Sequence, residues 1–177
     1  HMQKREEIKL VGSGGQGVIL ASVILAEAAV MEGLNAAQSQ SYGPEARGGA
    51  CSAQAVITSG ALGFPKVRIP TCLLALTQTS LEKYSKDLPE SCLVLADSSL
   101  TIPEWLKGHK VVQVPILHSA VEKVGKSFVA NIIAVAVINK ALGLVSEDIL
   151  RQAVAAHIPK GTEALNFKAL EVGEGLL

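Results

Sequence analysis

Residues 12–17 read Gly-Ser-Gly-Gly-Gln-Gly, between the strand-like run that ends in Ile8, Leu10 and Val11 and the helix-like run Val18-Ile19-Leu20-Ala21. A strand that turns through glycines into a helix leaves the helix's first backbone N–H groups unpaired and pointing at whatever occupies the turn. Few folds can follow such a start. The chain must build a sheet whose strands alternate with covering helices, and anything anionic bound to it would meet Gly12, Ser13, Gly14, Gly15, Gln16 and Gly17 first.

The rest of the sequence fits that start. Strands are expected near 6–12, 34–39, 50–58, 71–77, 91–97 and 110–115. Helices are expected near 15–32, 79–87, 119–142, 146–157 and 162–171. The first helix carries Ile19, Val23, Ala26 and Val30 on a helical period and stops at Gly33, a C-terminal cap. Thr79-x-x-Glu82 and Ser119-x-x-Glu122 have the spacing of capping boxes. Leu73-Leu74-Ala75-Leu76 and Leu93-Val94-Leu95-Ala96 are continuous apolar runs, as strands covered on both faces are. The expected architecture is an α/β, single Rossmann-like domain over residues 3–177, with a largely parallel sheet flanked by helices. His1-Met2 is read as a remnant of an expression tag and set aside.

Lys and Arg together number 16 and so do Asp and Glu, which excludes nucleic acid or an anionic membrane as the main partner. Hydrophobic residues make up 49% of the chain but aromatics only 3%, so the core must be Ala, Val, Ile and Leu. That much apolar side chain with no net charge has two readings. Either part of the surface is covered by another subunit, or the core is simply well filled. Cys51, Cys72 and Cys92 form no CxxC pair, so no zinc or iron–sulfur site is encoded, and each lies in or beside an apolar run where an inert thiol is expected. The longest apolar stretch, 128–144, is interrupted by Asn131, Asn139 and Lys140, so no membrane span is expected and the setting is read as cytoplasmic.

The glycine turn by itself suggests a dinucleotide. A nicotinamide site also needs an acid at the end of the second strand to hold the ribose hydroxyls. Glu32 stands at about the right separation but closes the first helix, while the second strand ends in Gln38 and Ser39. An NAD(P) site is therefore disfavoured. A second turn-rich segment follows that strand: Ser41, Tyr42, Gly43, Pro44, Glu45, Ala46, Arg47, Gly48 and Gly49. An arginine between glycines can bring one guanidinium, with backbone close behind, against a phosphate or carboxylate. A solvated loop arginine is the plain alternative. Lys66 and Arg68 sit in a further turn region. The histidines have no acid or cysteine at catalytic spacing, and no nucleophile–base–acid set can be assembled. Asp97-Ser98-Ser99, after a buried strand, reads as the cap of a short turn. Asn131, in an apolar helix, should bond a loop or a partner subunit.

Gly12–Gly17 opening the first helix and Ser41-Tyr-Gly-Pro-Glu-Ala-Arg-Gly-Gly49 after the second strand together resemble the gamma subunit of 2-oxoacid:ferredoxin (acceptor) oxidoreductases, over nearly the whole chain. The wording with Tyr42 resembles the 2-oxoglutarate branch more than the pyruvate branch, where Phe tends to stand at that place. The resemblance implies a non-autonomous subunit of an enzyme that converts 2-oxoglutarate and coenzyme A to succinyl-CoA and CO2 and reduces ferredoxin or a similar acceptor. It further implies that thiamine diphosphate, Mg and iron–sulfur clusters sit on alpha, beta and delta ferredoxin-like partners. This chain would hold no catalytic residue, no metal and no cofactor alone, and would use its two loops in coenzyme A binding and subunit assembly. The competing reading is a stand-alone nucleotide-binding protein or a dehydrogenase fragment.

Overall fold

A computed structural model describes residues 4–42, 49–63 and 69–177. Six strands form one sheet in the order β2-β3-β1-β4-β5-β6: β1 is Arg5–Ser13, β2 Asn35–Tyr42, β3 Ala50–Thr58, β4 Cys72–Ala75, β5 Leu93–Asp97 and β6 Val111–Val114. β1, β4, β5 and β6 are parallel neighbours, whereas β3 runs antiparallel to both β1 and β2. The sheet is thus largely parallel, with one reversed strand. The reversal has a plain cause. A parallel neighbour needs a crossover of a dozen or more residues, and the connection from β2 to β3 is too short to hold one.

The main core lies on one face of the sheet, where Ile8, Leu10, Ala53, Ile57 and Leu74 meet α1 (Val18–Met31) and α4 (Ala130–Leu142). α4 is apolar all round and buried on every side from Ala130 to Asn139. α5 (Glu147–His157) and α6 (Glu163–Glu174) complete this layer. Gly173 lets α6 press against α4; a Cβ there would come 2.6 Å from Ala136 Cβ and 2.7 Å from the Ile133 carbonyl. The other face carries a smaller core of Val11, Leu73, Ala75, Val94 and Leu106 under α2 (Gln78–Ser85), which contributes Leu81.

Several local expectations shift. The stretch expected as one helix over 119–142 is broken. α3 (Ile116–Ser119) runs into a π turn at Ala120–Val124, which stops at Gly125 with φ 95°, and α4 starts afresh. Ser119 is inside that helix rather than capping it, and its buried Oγ has no hydrogen-bond partner among the described residues. The cap of α2 is Thr77, whose hydroxyl accepts from Ser80 N–H at 3.3 Å, two residues before the expected Thr79. Gly33 does close α1, with φ 94°. Leu34 N–H bonds the Ala29 carbonyl at 2.9 Å and Gly33 N–H bonds Val30 at 3.0 Å, the paired bonds of a Schellman end.

Candidate functional site at the glycine turn

α1 covers one face of the sheet and α2 the other, and they follow β1 and β4, which are neighbours. The chain therefore changes faces between these two strands. Sheets of this kind hold ligands outside the carboxyl ends of the strands at such a change of face. The glycine segment stands at that end of β1. β1 ends at Ser13, Gly14–Gln16 form one 3-10 turn, and Gly17 takes φ 73° and starts α1.

The four glycines are there for different reasons. A Cβ on Gly12 would lie 2.5 Å from Gln16 Oε1, the atom that accepts from Ser13 N–H at 2.8 Å and locks the turn. Gly17 needs its left-handed φ, and a Cβ there would lie 2.6 Å from Asn131 Nδ2. Asn131, at the first turn of α4, donates to the Gly17 carbonyl at 3.3 Å. This is the loop bond expected of it, and it ties the start of α4 to the start of α1. Gly14 and Gly15 are exposed, and Gly15 has neither a positive φ nor any atom within 4 Å of a Cβ. Nothing among the described residues asks for a glycine at 15.

The register brings the second motif to the same rim. Gly12 lies opposite Cys51 and Ser13 opposite Ala50 on β3, while Tyr42 on β2 also faces Cys51 across the next ladder. Gly49, next to Ala50, therefore stands beside the glycine turn, and Ser41 and Tyr42 end the strand one place further out on the same rim. Gly43, Pro44, Glu45, Arg47 and Gly48 lie outside the described residues, as do Lys66 and Arg68. Beyond β1 the rim continues to Thr77 and to Asp97. The buried Asp97 carboxylate accepts from Ser99 N–H at 3.0 Å, capping its turn as expected, and also from Leu117 N–H at 2.9 Å, in the first turn of α3, which was not expected.

On the other side of Asn131 a pocket of about 160 Å³ opens between Leu20, Phe128, Ile132, Ile158 and Pro159. Phe128 is 62% exposed at its mouth. This pocket was not legible beforehand, because its walls come from segments far apart in the chain. The nicotinamide reading meets a geometric obstacle. β2 is separated from β1 by β3, and its exposed end carries no acid. Among the described residues no three His, Cys, Asp or Glu side chains gather as a metal site, and no helix is long and apolar enough to cross a membrane. The thiols of Cys51, Cys72 and Cys92 are buried and unpaired, and burial pushes each pKa up, that of Cys92 to about 11.

The family model for pyruvate ferredoxin/flavodoxin oxidoreductase matches residues 7–174. The chain is 37% identical to a 2-oxoglutarate synthase subunit of Methanothermobacter thermautotrophicus, over 99% of this chain and 97% of that protein. It is 41% identical to the crystal structure of a keto/oxoacid ferredoxin oxidoreductase gamma subunit from Geobacter sulfurreducens, with a TM-score of 0.84 and 95% of each chain covered. The fold also recurs, at 18% identity and a TM-score of 0.87, within 31% of a chain of the 2-oxoglutarate:ferredoxin oxidoreductase from Magnetococcus marinus, solved with 2-oxoglutarate, coenzyme A and succinyl-CoA.

Proposed function

Because the chain belongs to the pyruvate ferredoxin/flavodoxin oxidoreductase family, we propose that it is the gamma subunit of a 2-oxoglutarate:acceptor oxidoreductase, with its glycine turn directed at coenzyme A. The enzyme takes 2-oxoglutarate and coenzyme A to succinyl-CoA and CO2 and passes two electrons to ferredoxin or a similar acceptor. Thiamine diphosphate, Mg and the iron–sulfur clusters belong to alpha, beta and delta-type partner chains, and the complex works in the cytoplasm. Within this chain the turn at Gly12–Gly17 shares one rim with the strand end at Ser41 and Tyr42 and with Gly49.

Gly15 is the observation that carries this reading. It stays exposed and unstrained, and no neighbour among the described residues limits a side chain there, which supports an external ligand as the reason for a glycine. The residues fit a diphosphate. The first amides of α1 lack intrahelical acceptors, and its N-terminus favours negative charge. Bare backbone at Gly14 and Gly15 allows close approach, and Arg47 supplies the bidentate charge that a lone helix end does not. The chain would position and neutralise the nucleotide end of coenzyme A, the thiol substrate that the complex acylates.

The test reconstitutes Gly15→Val and Arg47→Ala with wild-type partner subunits. Gly15→Val should fold normally and raise the coenzyme A KM at least tenfold. Arg47→Ala should cost about 1.5–3 kcal/mol in coenzyme A use, the range of a hydrogen bond to a charged group, and Arg47→Lys should restore little of it. A wild-type coenzyme A KM in both Gly15→Val and Arg47→Ala refutes the placement of the coenzyme. The stand-alone nucleotide-binding alternative predicts low-micromolar NAD(H) binding by the isolated chain, measurable by calorimetry.

A further inference from the structure

We propose that the pocket beyond Asn131 is a subsite for a neutral flat ring bearing an amino group, the hydrogen-bonding edge of an adenine. Leu20, Ile132 and Ile158 form its walls, and no residue lining it carries a charge. An ammonium or carboxylate placed there would find no counter-charge, so the occupant is neutral at the end that enters. An enclosed apolar cavity of about 150 Å³ takes benzene. This pocket, at about 160 Å³, is of similar size and open at its mouth, so one ring system fits with its substituents outside. Phe128 stands at that mouth, 62% exposed, where a flat ring can stack on it.

Two amides line this space, Asn131 of α4 and Asn166 of α6, each more than nine-tenths buried. A backbone carbonyl fixes the orientation of each, because only an N–H can bond it. Asn131 Nδ2 donates to the Gly17 carbonyl at 3.3 Å. Asn166 Nδ2 donates to the Thr162 carbonyl at 3.0 Å and to Thr162 Oγ1 at 3.2 Å. Thr162 spends its own hydroxyl proton on the Pro159 carbonyl at 2.6 Å. Asn131 Oδ1 and Asn166 Oδ1 are left over, and neither accepts a hydrogen bond among the described residues. The second N–H of Asn131 is left over as well. An apolar pocket thus presents two acceptors and one donor, drawn from two different helices.

The complement is a ligand edge with two N–H donors and an acceptor beside them. Adenine has that edge. Its amino group offers one hydrogen to each Oδ1, and the adjoining ring nitrogen accepts the spare N–H of Asn131. Asparagine reads adenine through this same pair of atoms in nucleic acid. A carbonyl in place of the amino group, as in hypoxanthine, would meet both oxygens with no proton between them. Two sources carry the edge: the adenine end of coenzyme A, reaching past Asn131 from the glycine turn, or a free adenine nucleotide bound as an effector. The first rests on the coenzyme A reading above, and the second stands without it.

The full chain should bind adenosine with a dissociation constant of about 1 mM or tighter, the range of a ligand this small, read by calorimetry or ligand-observed NMR. Inosine should bind roughly tenfold more weakly or worse. Phe128→Ala should weaken adenosine about fivefold or more, the low end of base–aromatic stacking, with far-UV circular dichroism unchanged because the ring is exposed. Asn166→Leu should erase the preference over inosine, while Trp105→Ala, beside α2, should change neither. In the reconstituted complex, coenzyme A carrying hypoxanthine for adenine separates the sources. A KM roughly tenfold higher puts the coenzyme's own adenine in the pocket, and an equal KM leaves the pocket to a free nucleotide. No adenosine binding at roughly 5 mM, well above the expected constant, would overturn the proposal. Equal binding of inosine, or binding indifferent to both Phe128→Ala and Asn166→Leu, would overturn it too. Adenosine carries no phosphate, so these failures are separate from those of Gly15→Val and Arg47→Ala, which test the glycine turn.

Discussion

Gly17→Ala isolates the contact that fixes the glycine turn. Gly17 sits at φ 73°, where an L-residue costs about 1–2 kcal/mol. The new Cβ would also stand 2.6 Å from Asn131 Nδ2 and 3.0 Å from its Cγ. The amide must therefore swing away and give up its bond to the Gly17 carbonyl. Asn131 is only 7% exposed, so displacing it adds about 1–3 kcal/mol for a buried polar group left unpaired. The total is about 3 kcal/mol, or roughly 6–12 °C in Tm for a chain of this size. In an Asn131→Ala background the amide is gone, residue 131 keeps only its Cβ at 3.2 Å, and the cost falls mainly to the backbone term of about 1–2 kcal/mol. A double-mutant cycle by urea denaturation should therefore return a coupling of about 1–2 kcal/mol. Additive costs, within about 0.5 kcal/mol, would refute the assignment of Asn131 as the obstacle.

Gly173→Ala should lower stability by about 2–3 kcal/mol in thermal or urea denaturation, because overpacking forces α6 off the Ile133–Ala136 surface of α4. The buried thiols make stability fall in alkali. An unfolded thiol begins to ionise near 9.0, while burial holds Cys92 neutral up to about 11, so the contribution is intact below pH 9 and declines as pH rises through that window. The slope is at most about 1.4 kcal/mol per pH unit for each thiol, and Cys92→Ala should flatten it in urea midpoints measured between pH 8 and pH 10.

The boundaries of β1, the glycine turn and α1 were legible because glycine, strand and helix signals coincide there, and Gly33 closed α1 as expected. The direction of β3 was also within reach, since residues 43–49 cannot hold a crossover helix. The break at Gly125-Lys126 was hidden by apolar residues on both sides, which continue a helical pattern that the chain abandons. Ile19, Val23, Ala26 and Val30 show the limit of periodicity. α1 is apolar on every side, so its pattern cannot tell which stripe faces the sheet. The sequence placed both motifs at the ends of their strands, but only the register shows Ser13 beside Ala50 and so puts them on one rim. The distinction between structural and free glycines depends on Asn131 and Gln16, whose positions are set by tertiary packing.

The role proposed for this chain is that of the coenzyme A-handling gamma subunit of a 2-oxoglutarate oxidoreductase. Its most direct test is acceptor-dye reduction by the reconstituted complex, with and without this chain, offered 2-oxoglutarate, pyruvate or a branched 2-oxoacid. The chain alone should give no turnover. Coenzyme A-dependent turnover of 2-oxoglutarate, in preference to the other two acids, should arise only when the chain is added to its alpha and beta partners. Equal turnover without it, or turnover of 2-oxoglutarate by the isolated chain, would rule this role out.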